Sequence, residues 1–420
     1  MAHAATSIDQ GEQLTNTLIA ELAPLLELFG KEITTQFLNQ STGWADDVLF
    51  AMAPVGLITV IVGVIRVAGY SILRNLVGRG REQEGEAEKE FLSSTSKDVC
   101  ELWSGGASDV VRILGSKPSI CEVLIDETPG GETFYSTQGA LEKGILSGPK
   151  SHQLDTCVLQ EETANSDEIA PPNLTLNVRY DTQTRWPIRL GATVGWILQT
   201  AVLALQGLVT YRFHLHNGDE QAPKYTFPLA CAGTVLLCTG MWICALTLRK
   251  STITEAYYNC YDSSDGHKRY VWLQKGRQVV NHQCFDAFAI YKPESHQYMK
   301  AKSVVLWRSY KNLKSIRRLG LLVLVGTCFS LVGWIAQFVG LSQLHWSAIL
   351  VQLGATFIMV ILRSSIRSHL RQKPEVRPLK TGFEMDDLVL ETAKLDSWSM
   401  CHHRVFEADD KSKSSFASDI

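Results

Sequence analysis

Charge is what this 420-residue chain has least of. Asp, Glu, Lys and Arg make up 20% of it, below the roughly 25% of an average soluble domain. None of them falls within residues 190–211, 225–248 or 319–362. About 20 apolar residues at 1.5 Å each cross a bilayer core of roughly 30 Å, so these gaps exclude an ordinary soluble enzyme. A basic excess is also missing, with 40 Lys and Arg against 43 Asp and Glu; no nucleic-acid partner is expected, because that would ask for a concentrated basic surface. The ten cysteines include no Cys-x-x-Cys, and Cys231, Cys238 and Cys244 share one uncharged stretch. Neither a zinc ribbon nor a disulfide framework is suggested. No Walker loop, Gly-x-Ser-x-Gly elbow, His-Glu-x-x-His or dinucleotide fingerprint occurs, so no catalytic residue, cofactor or metal is assigned and the chain reads as a non-enzyme. The start of the chain has no basic segment ahead of an apolar one, hence no secretory signal is read.

What is present points to a membrane protein, a predominantly α-helical bundle of about five transmembrane helices with small cytoplasmic α+β segments. The spans fall at 48–65, which carries Pro54, and at 190–211, 225–248, 319–338 and 347–362. The last two form a hairpin whose membrane turn, 340–346, includes His345 and the interfacial anchor Trp346. Residues 1–47 hold one basic residue, Lys31, the loop 212–224 holds two and the turn none. By the excess of Lys and Arg on cytoplasmic flanks, the N-terminal segment 1–47 is external or lumenal. The segments 66–189 and 249–318 and the tail 363–420, disordered at its end, are then cytoplasmic. A merely re-entrant first stretch would leave four spans and an inside N-terminus. Which membrane is involved is left open.

The soluble segments have their own texture. Leu18, Leu22, Leu25, Leu26, Phe29, Ile33 and Phe37 recur at helical spacing and predict an amphipathic helix. Thr95-Ser96-Lys97-Asp98 has capping-box form ahead of residues 99–103, and runs at 110–114, 121–125, 157–159 and 174–178 are rich in β-branched residues. Residues 271–274 and 277–280 read as a hairpin with the two-residue turn Lys275-Gly276, with 285–291 as a further strand. Segment 66–189 has 13 basic and 19 acidic residues, whereas 249–318 has 14 and 5. The opposite signs suggest either that the two dock on each other or that the basic one faces anionic lipid.

Several runs resemble an uncharacterised family of multi-pass membrane proteins of filamentous fungi. They are Gly43-Trp44-Ala45-Asp46-Asp47 through Pro54, Leu92-Ser93-Ser94-Thr95-Ser96 with Val99-Cys100-Glu101-Leu102-Trp103, Trp272-Leu273-Gln274 with Phe285-Asp286-Ala287-Phe288, and Gln337-Phe338-Val339-Gly340-Leu341 with His345-Trp346-Ser347. Some members of that family continue into ankyrin repeats, which this sequence lacks. The resemblance implies architecture and no activity.

Small residues recur seven apart at Gly233 and Gly240 and at Gly326, Gly333 and Gly340, and Gly191 and Gly195 form a Gly-x-x-x-Gly. Such spacing lets helices approach closely, in a bundle or a homo-oligomer. Asn39-Gln40-Ser41 is a glycosylation sequon in the segment expected outside. Cys401-His402-His403 and the pair His282 and Cys284 are weak metal candidates. No Asp, Glu, Lys or Arg lies within the spans, which counts against a coupled transporter. The reading is a non-catalytic membrane protein for interaction, sensing or scaffolding, with membrane lipid and cytoplasmic proteins as partners. Its alternatives are a passive permeation or export accessory, linked to fungal secondary metabolism, and an enzyme with an unrecognised membrane site. The protein is expected to stay in the pellet when membranes are washed with alkaline carbonate; recovery in the wash would refute insertion.

Overall fold

The computed structural model describes residues 30–395 apart from 53–54, 107–108, 115–119, 129–130, 149–170, 180–184, 213–224, 261–266, 281, 294–303 and 345. Helices α1 (30–39), α2 (Trp44–Ala51), α3 (Leu57–Ala68), α4 (Ser71–Leu76) and α5 (Glu84–Phe91) lead into β1 (Val99–Ser104), β2 (Asp109–Leu114), β3 (Ile120–Thr128), β4 (Gly131–Ser136), α6 (Thr137–Glu142) and β5 (Leu146–Ser147). Two long helices follow, α7 (Trp186–Tyr211) and α8 (Thr226–Lys250). After them come β6 (Thr252–Asn259), β7 (His267–Gln274), β8 (Gln278–Val280), β9 (Gln283–Phe285), β10 (Phe288–Tyr291) and β11 (Val304–Lys311). Two more long helices, α9 (Leu313–Ser342) and α10 (Trp346–Leu370), precede β12 (Glu375–Pro378) and α11 (Glu384–Leu395).

Helices α7 to α10 are the four among the described residues that are long and apolar enough to cross a membrane. Their outer faces carry exposed Trp196, Ile197, Val235, Leu321, Val332, Ile335, Phe357 and Ile358, which suits hydrocarbon and not water. Exposed Trp186 marks one end, and exposed Tyr211 and Tyr225 the other, the placement of interfacial aromatics. Two antiparallel pairs form. In the α8–α9 pair the glycines meet the partner's backbone: an added Cβ would lie 2.2 Å from the Gln337 nitrogen at Gly233, 2.4 Å from Ser330 N at Gly240, 2.3 Å from Leu237 N at Gly333 and 2.6 Å from Ala230 N at Gly340. At Gly326 it would meet Cys244 Sγ at 3.0 Å. Gly191 and Gly195 of α7 face Ile366 and Met359 of α10 and Leu49 and Met52 from the α2 region.

Residues 48–65 do not make one span. They are divided between α2 and α3, and α3 has 12 residues, a length of about 18 Å that falls short of the bilayer core. The break includes Gly56 at φ 69, where an added Cβ would be 2.4 Å from Thr34 Oγ1. Helix α2 packs on α7 and α8, and α3 on α8 and α9, so this helical pair fills one end of the bundle. The membrane turn is shorter than expected: α9 runs through Gly340 to Ser342, Trp346 is the first residue of α10, and His345 lies outside the described residues. Helix α10 also extends past Arg363 to Leu370, and the tail then adds β12 and α11. Residues 396–420, 157–159 and the first part of the amphipathic helix lie outside the described residues.

The soluble segments are not separate domains. A five-stranded antiparallel sheet, ordered β12-β10-β7-β3-β4, draws strands from before α7, from between α8 and α9, and from after α10. A second sheet, β11-β6-β5, faces it across a core that includes Leu124, Trp272, Ile290 and Leu306. The two oppositely charged segments therefore dock by sharing a sheet, β3 on β7, with charge contributing Lys268 to Asp126 at 4.0 Å and Arg308 to Glu122 at 2.5 Å. The hairpin at Lys275-Gly276 does not form, since β7 pairs with β3 and β10 while β8 pairs with β9. Gln274 explains the separation. Buried at the end of β7, it accepts from Trp103 N at 2.7 Å and donates to Trp103 O and Asp286 O at 3.0 Å. Residues 99–103 form strand β1, and the Ser94 and Ser96 hydroxyls ahead of it donate to buried Glu88 at 2.8 and 3.0 Å. Residues 174–178 are no strand either. They lie in a π-helical turn whose Asn177 accepts from Trp307 N while Asn173 accepts from Ser309 N, both at 2.7 Å, so side-chain amides cover the edge of β11.

Gly240→Leu should remove about 3 kcal/mol, the upper end of overpacking costs, seen as a marked loss of thermal stability in detergent. Gly354→Leu, where an added Cβ meets nothing within 4 Å, should unfold at the wild-type temperature.

Candidate functional site

A polar cluster lies where α2 enters the bundle. Helix α2 ends at Ala51, so among the described residues the Leu49 and Phe50 carbonyls have no partner further along their own helix. Arg363 of α10, buried, supplies one: Nε donates to Leu49 O at 3.2 Å and Nη2 to Phe50 O at 2.8 Å. A cation at a helix C-terminus is also favoured by the aligned peptide dipoles. The guanidinium lies 5.3 Å from the Phe50 ring centroid and 5.8 Å from that of Phe37, whose rings stack at 5.6 Å.

Four residues further along α10, Arg367 donates to Asp46 Oδ1 at 2.9 Å and lies over the Phe37 ring at 4.4 Å. The other Asp46 oxygen accepts from the Gly43 and Thr42 amides at 3.0 and 3.2 Å and so caps α2. Asp47 accepts from Arg249 Nε of α8 at 2.7 Å. Helix α2 is thus gripped at both ends, and α1 is tied to the break by Thr34 Oγ1 donating to Val55 O at 2.8 Å. These contacts place residues 30–51 at the same end of the bundle as the sheets. The expected separation of segment 1–47 from them by a first span does not hold for its described part, and Asn39, half-buried at the end of α1, is at the sheet end too.

Desolvation pushes the Asp47 carboxyl up to about 6, in spite of the opposing Arg249 charge. Asp47 Oδ1 is buried without a hydrogen-bond partner among the described residues. Among the described residues the arrangement holds no nucleophile paired with a base; what it does chemically is lock two helices, α8 and α10, to α2 through charge-assisted hydrogen bonds.

A second polar cluster lies between the two sheets. Glu122 Oε2 accepts from Thr137 Oγ1 at 2.8 Å and Arg308 Nη2 at 2.5 Å, and Tyr270 bonds Thr137. Burial, then the Glu122 charge, holds the Tyr270 phenol well above its ordinary value. This cluster ties β3 and β7 of one sheet to β11 of the other.

The structure brings the sequence-marked glycines of α8 and α9 together along one seam, and it gives Arg363 and Arg367, which in sequence are basic residues beside an uncharged run, specific partners. Asp46 and Asp47 were missed as polar anchors. Two adjacent acids directly before an apolar run, with Arg residues four apart at a span end, are the signal that points to them. His282 and Cys284 are both exposed, the Cys401-His402-His403 run lies outside the described residues, and no group of three His, Cys, Asp or Glu able to hold a metal occurs among the described residues. Compared with known protein families, curated proteins and solved structures, the chain shows no significant match in any of the three.

The folded protein holds the Asp47 proton to about pH 6 and an unperturbed carboxyl releases it near 3.8, so this group's contribution to stability falls as pH rises from about 4 to about 6. The melting temperature of Asp47→Asn in detergent should therefore gain on that of the wild type across this window. A constant difference between the two would show that the carboxyl is not buried as described.

Proposed function

We propose that this is a four-span membrane protein that presents a single cytoplasmic domain, rigidly joined to its helices, for protein interaction, sensing or scaffolding without catalysis. The observation that carries the reading is the manner of attachment. Strand β6 begins at Thr252, directly after the Ser251 that closes α8, and β11 is separated from α9 by Asn312 alone. Asn312 N donates to Ser251 O at 2.8 Å across that join, so the helical pair continues into a paired ribbon with no flexible linker. A shift of α8 against α9 is passed to the sheets, as transduction requires.

Sidedness follows from Arg249, Lys250, Arg318, Arg363, Arg367 and Arg371 at the sheet end, against two basic residues in the loop 212–224. The sheet end is cytoplasmic, which takes α1 and Asn39 with it and leaves the Asn39 sequon unglycosylated. The fungal resemblance of the quoted segments agrees with a multi-pass architecture. Permeation or export is the rival function, and an enzyme with an unrecognised site the third.

Epitopes at the two termini should both be digested by protease added to the cytoplasmic face of sealed vesicles, and glycosidase should leave the mobility unchanged. An N-terminal epitope protected inside would restore the fifth span. Purified protein in liposomes should release entrapped solutes no faster than empty liposomes; selective release would replace the scaffold reading with permeation.

A further inference from the structure

Residues 69–81 belong neither to the polar junction nor to the sheets. They contain Arg74, Arg79 and Arg81 and no Asp or Glu, and none of the residues of α4 is buried. Ile72 and Leu76, each 80% exposed, are the most exposed large apolar side chains among the described residues. Four apart on a helix, they share one face. Their position relative to the membrane is set by Tyr70, whose ring packs on Gly320 so closely that an added Cβ would lie 2.7 Å from it. Gly320 follows exposed Arg318 by two residues in the first turns of α9, so α4 lies where that helix enters the hydrocarbon. Apolar side chains on a short helix at that depth, flanked by cations and free of acids, match the acyl boundary below and the phosphates above.

Two observations separate this segment from the other basic residues at the sheet end. Arg363 and Arg367 are committed to α2, and Arg66 to Glu82 and Glu90. Arg74 Nε, by contrast, is shielded from solvent and has no acceptor among the described residues. Glu82, the first acid after the segment, is hydrogen-bonded by Arg66 and only shares its charge with Arg79.

We infer that residues 70–81 form a membrane-surface anchor for anionic phospholipid, with Ile72 and Leu76 in the acyl boundary and the guanidinium groups of Arg74, Arg79 and Arg81 at lipid phosphates. The inference rests on the membrane reading above and adds a lipid preference to it. Zwitterionic lipid would satisfy the apolar pair but bring no net negative charge to the three cations, so the preference is electrostatic and weakens with salt.

The test is amide hydrogen exchange of the full chain in nanodiscs of phosphatidylcholine alone and of phosphatidylcholine mixed with phosphatidylserine. Exchange across 70–81 should slow by about fivefold or more in the anionic discs, and the triple variant Arg74→Gln, Arg79→Gln, Arg81→Gln should lose that difference while keeping wild-type exchange in α8 and α9. Ile72→Ser with Leu76→Ser, at exposed positions that the fold does not need, should raise exchange of the segment in both lipids. Equal protection in the two lipids, or an anionic effect that survives the triple variant, overturns the inference. Protection that arises only on adding cytosolic protein overturns it in favour of protein docking. A chain that does not enter nanodiscs refutes the membrane reading itself, which is a different failure.

Discussion

The constraint on which the structure depends is the backbone-to-backbone approach of α8 and α9. Gly233 and Gly240 on one helix and Gly333 and Gly340 on the other leave no room for a Cβ, and in lipid such close packing is a main source of helix association because burial of apolar surface gains nothing there. The separation it sets is inherited by β6 and β11, which continue the two helices as antiparallel neighbours, Lys311 opposite Thr252. The second sheet is therefore an extension of the helix pair into water. The first sheet is fastened to it through the shared core of Trp272 and Leu306 and the Glu122 to Arg308 bridge.

The α7–α10 pair is joined to this rod in two places. At the far end the Tyr211 and Phe227 rings meet edge to face at 5.3 Å, and at the sheet end α2 fills the space between. A buried, broken helical segment has unpaired carbonyls, and leaving them so in an apolar surrounding would cost about 1–3 kcal/mol each. Arg363 removes that penalty and has its own charge dispersed over two carbonyls and two rings. Breaking this contact without replacement is the most disruptive single change the junction offers, since it strands a buried cation and two buried acceptors together.

Much of the helical architecture was legible in the sequence because lipid leaves no ambiguity: a charge-free run long enough to cross must be a helix with its own backbone satisfied. Residues 48–65 passed the same test of composition yet form two helices, since burial against α7, α8 and α9 satisfies apolar side chains as well as lipid does. The sheets were far less legible. Local pattern marked β2, β3 and β7 as extended, but pairing of β3 with β7 joins residues separated by two spans, and no local signal encodes such a register. Where local chemistry was read as decisive it misled. Lys275-Gly276 has hairpin composition, yet Gln274 is taken up by β1 and the loop of Asp286; 174–178 has strand composition, yet Asn173 and Asn177 use their amides in place of a strand's backbone. Of the junction, the arginines stood out only as a topological marker, because partners contributed by α2 are remote in sequence.

The interleaving of the five-stranded sheet bears on how the protein is made. Strands β3 and β4 are synthesised before α7, whereas β7, the partner of β3, and β10 beyond it emerge only after α8, and β12 only after α10. At the ribosome the early strands must wait with an open edge, a state that invites mispairing, until the first helical hairpin has inserted, and the sheet stays incomplete until the second has followed. If one helix of either hairpin failed to cross the bilayer, the later strands would be delivered to the opposite compartment and the sheet could never close. Completion of the domain is thereby a built-in check on membrane insertion, and a misinserted chain would display an unfinished sheet to the quality-control machinery of the cell.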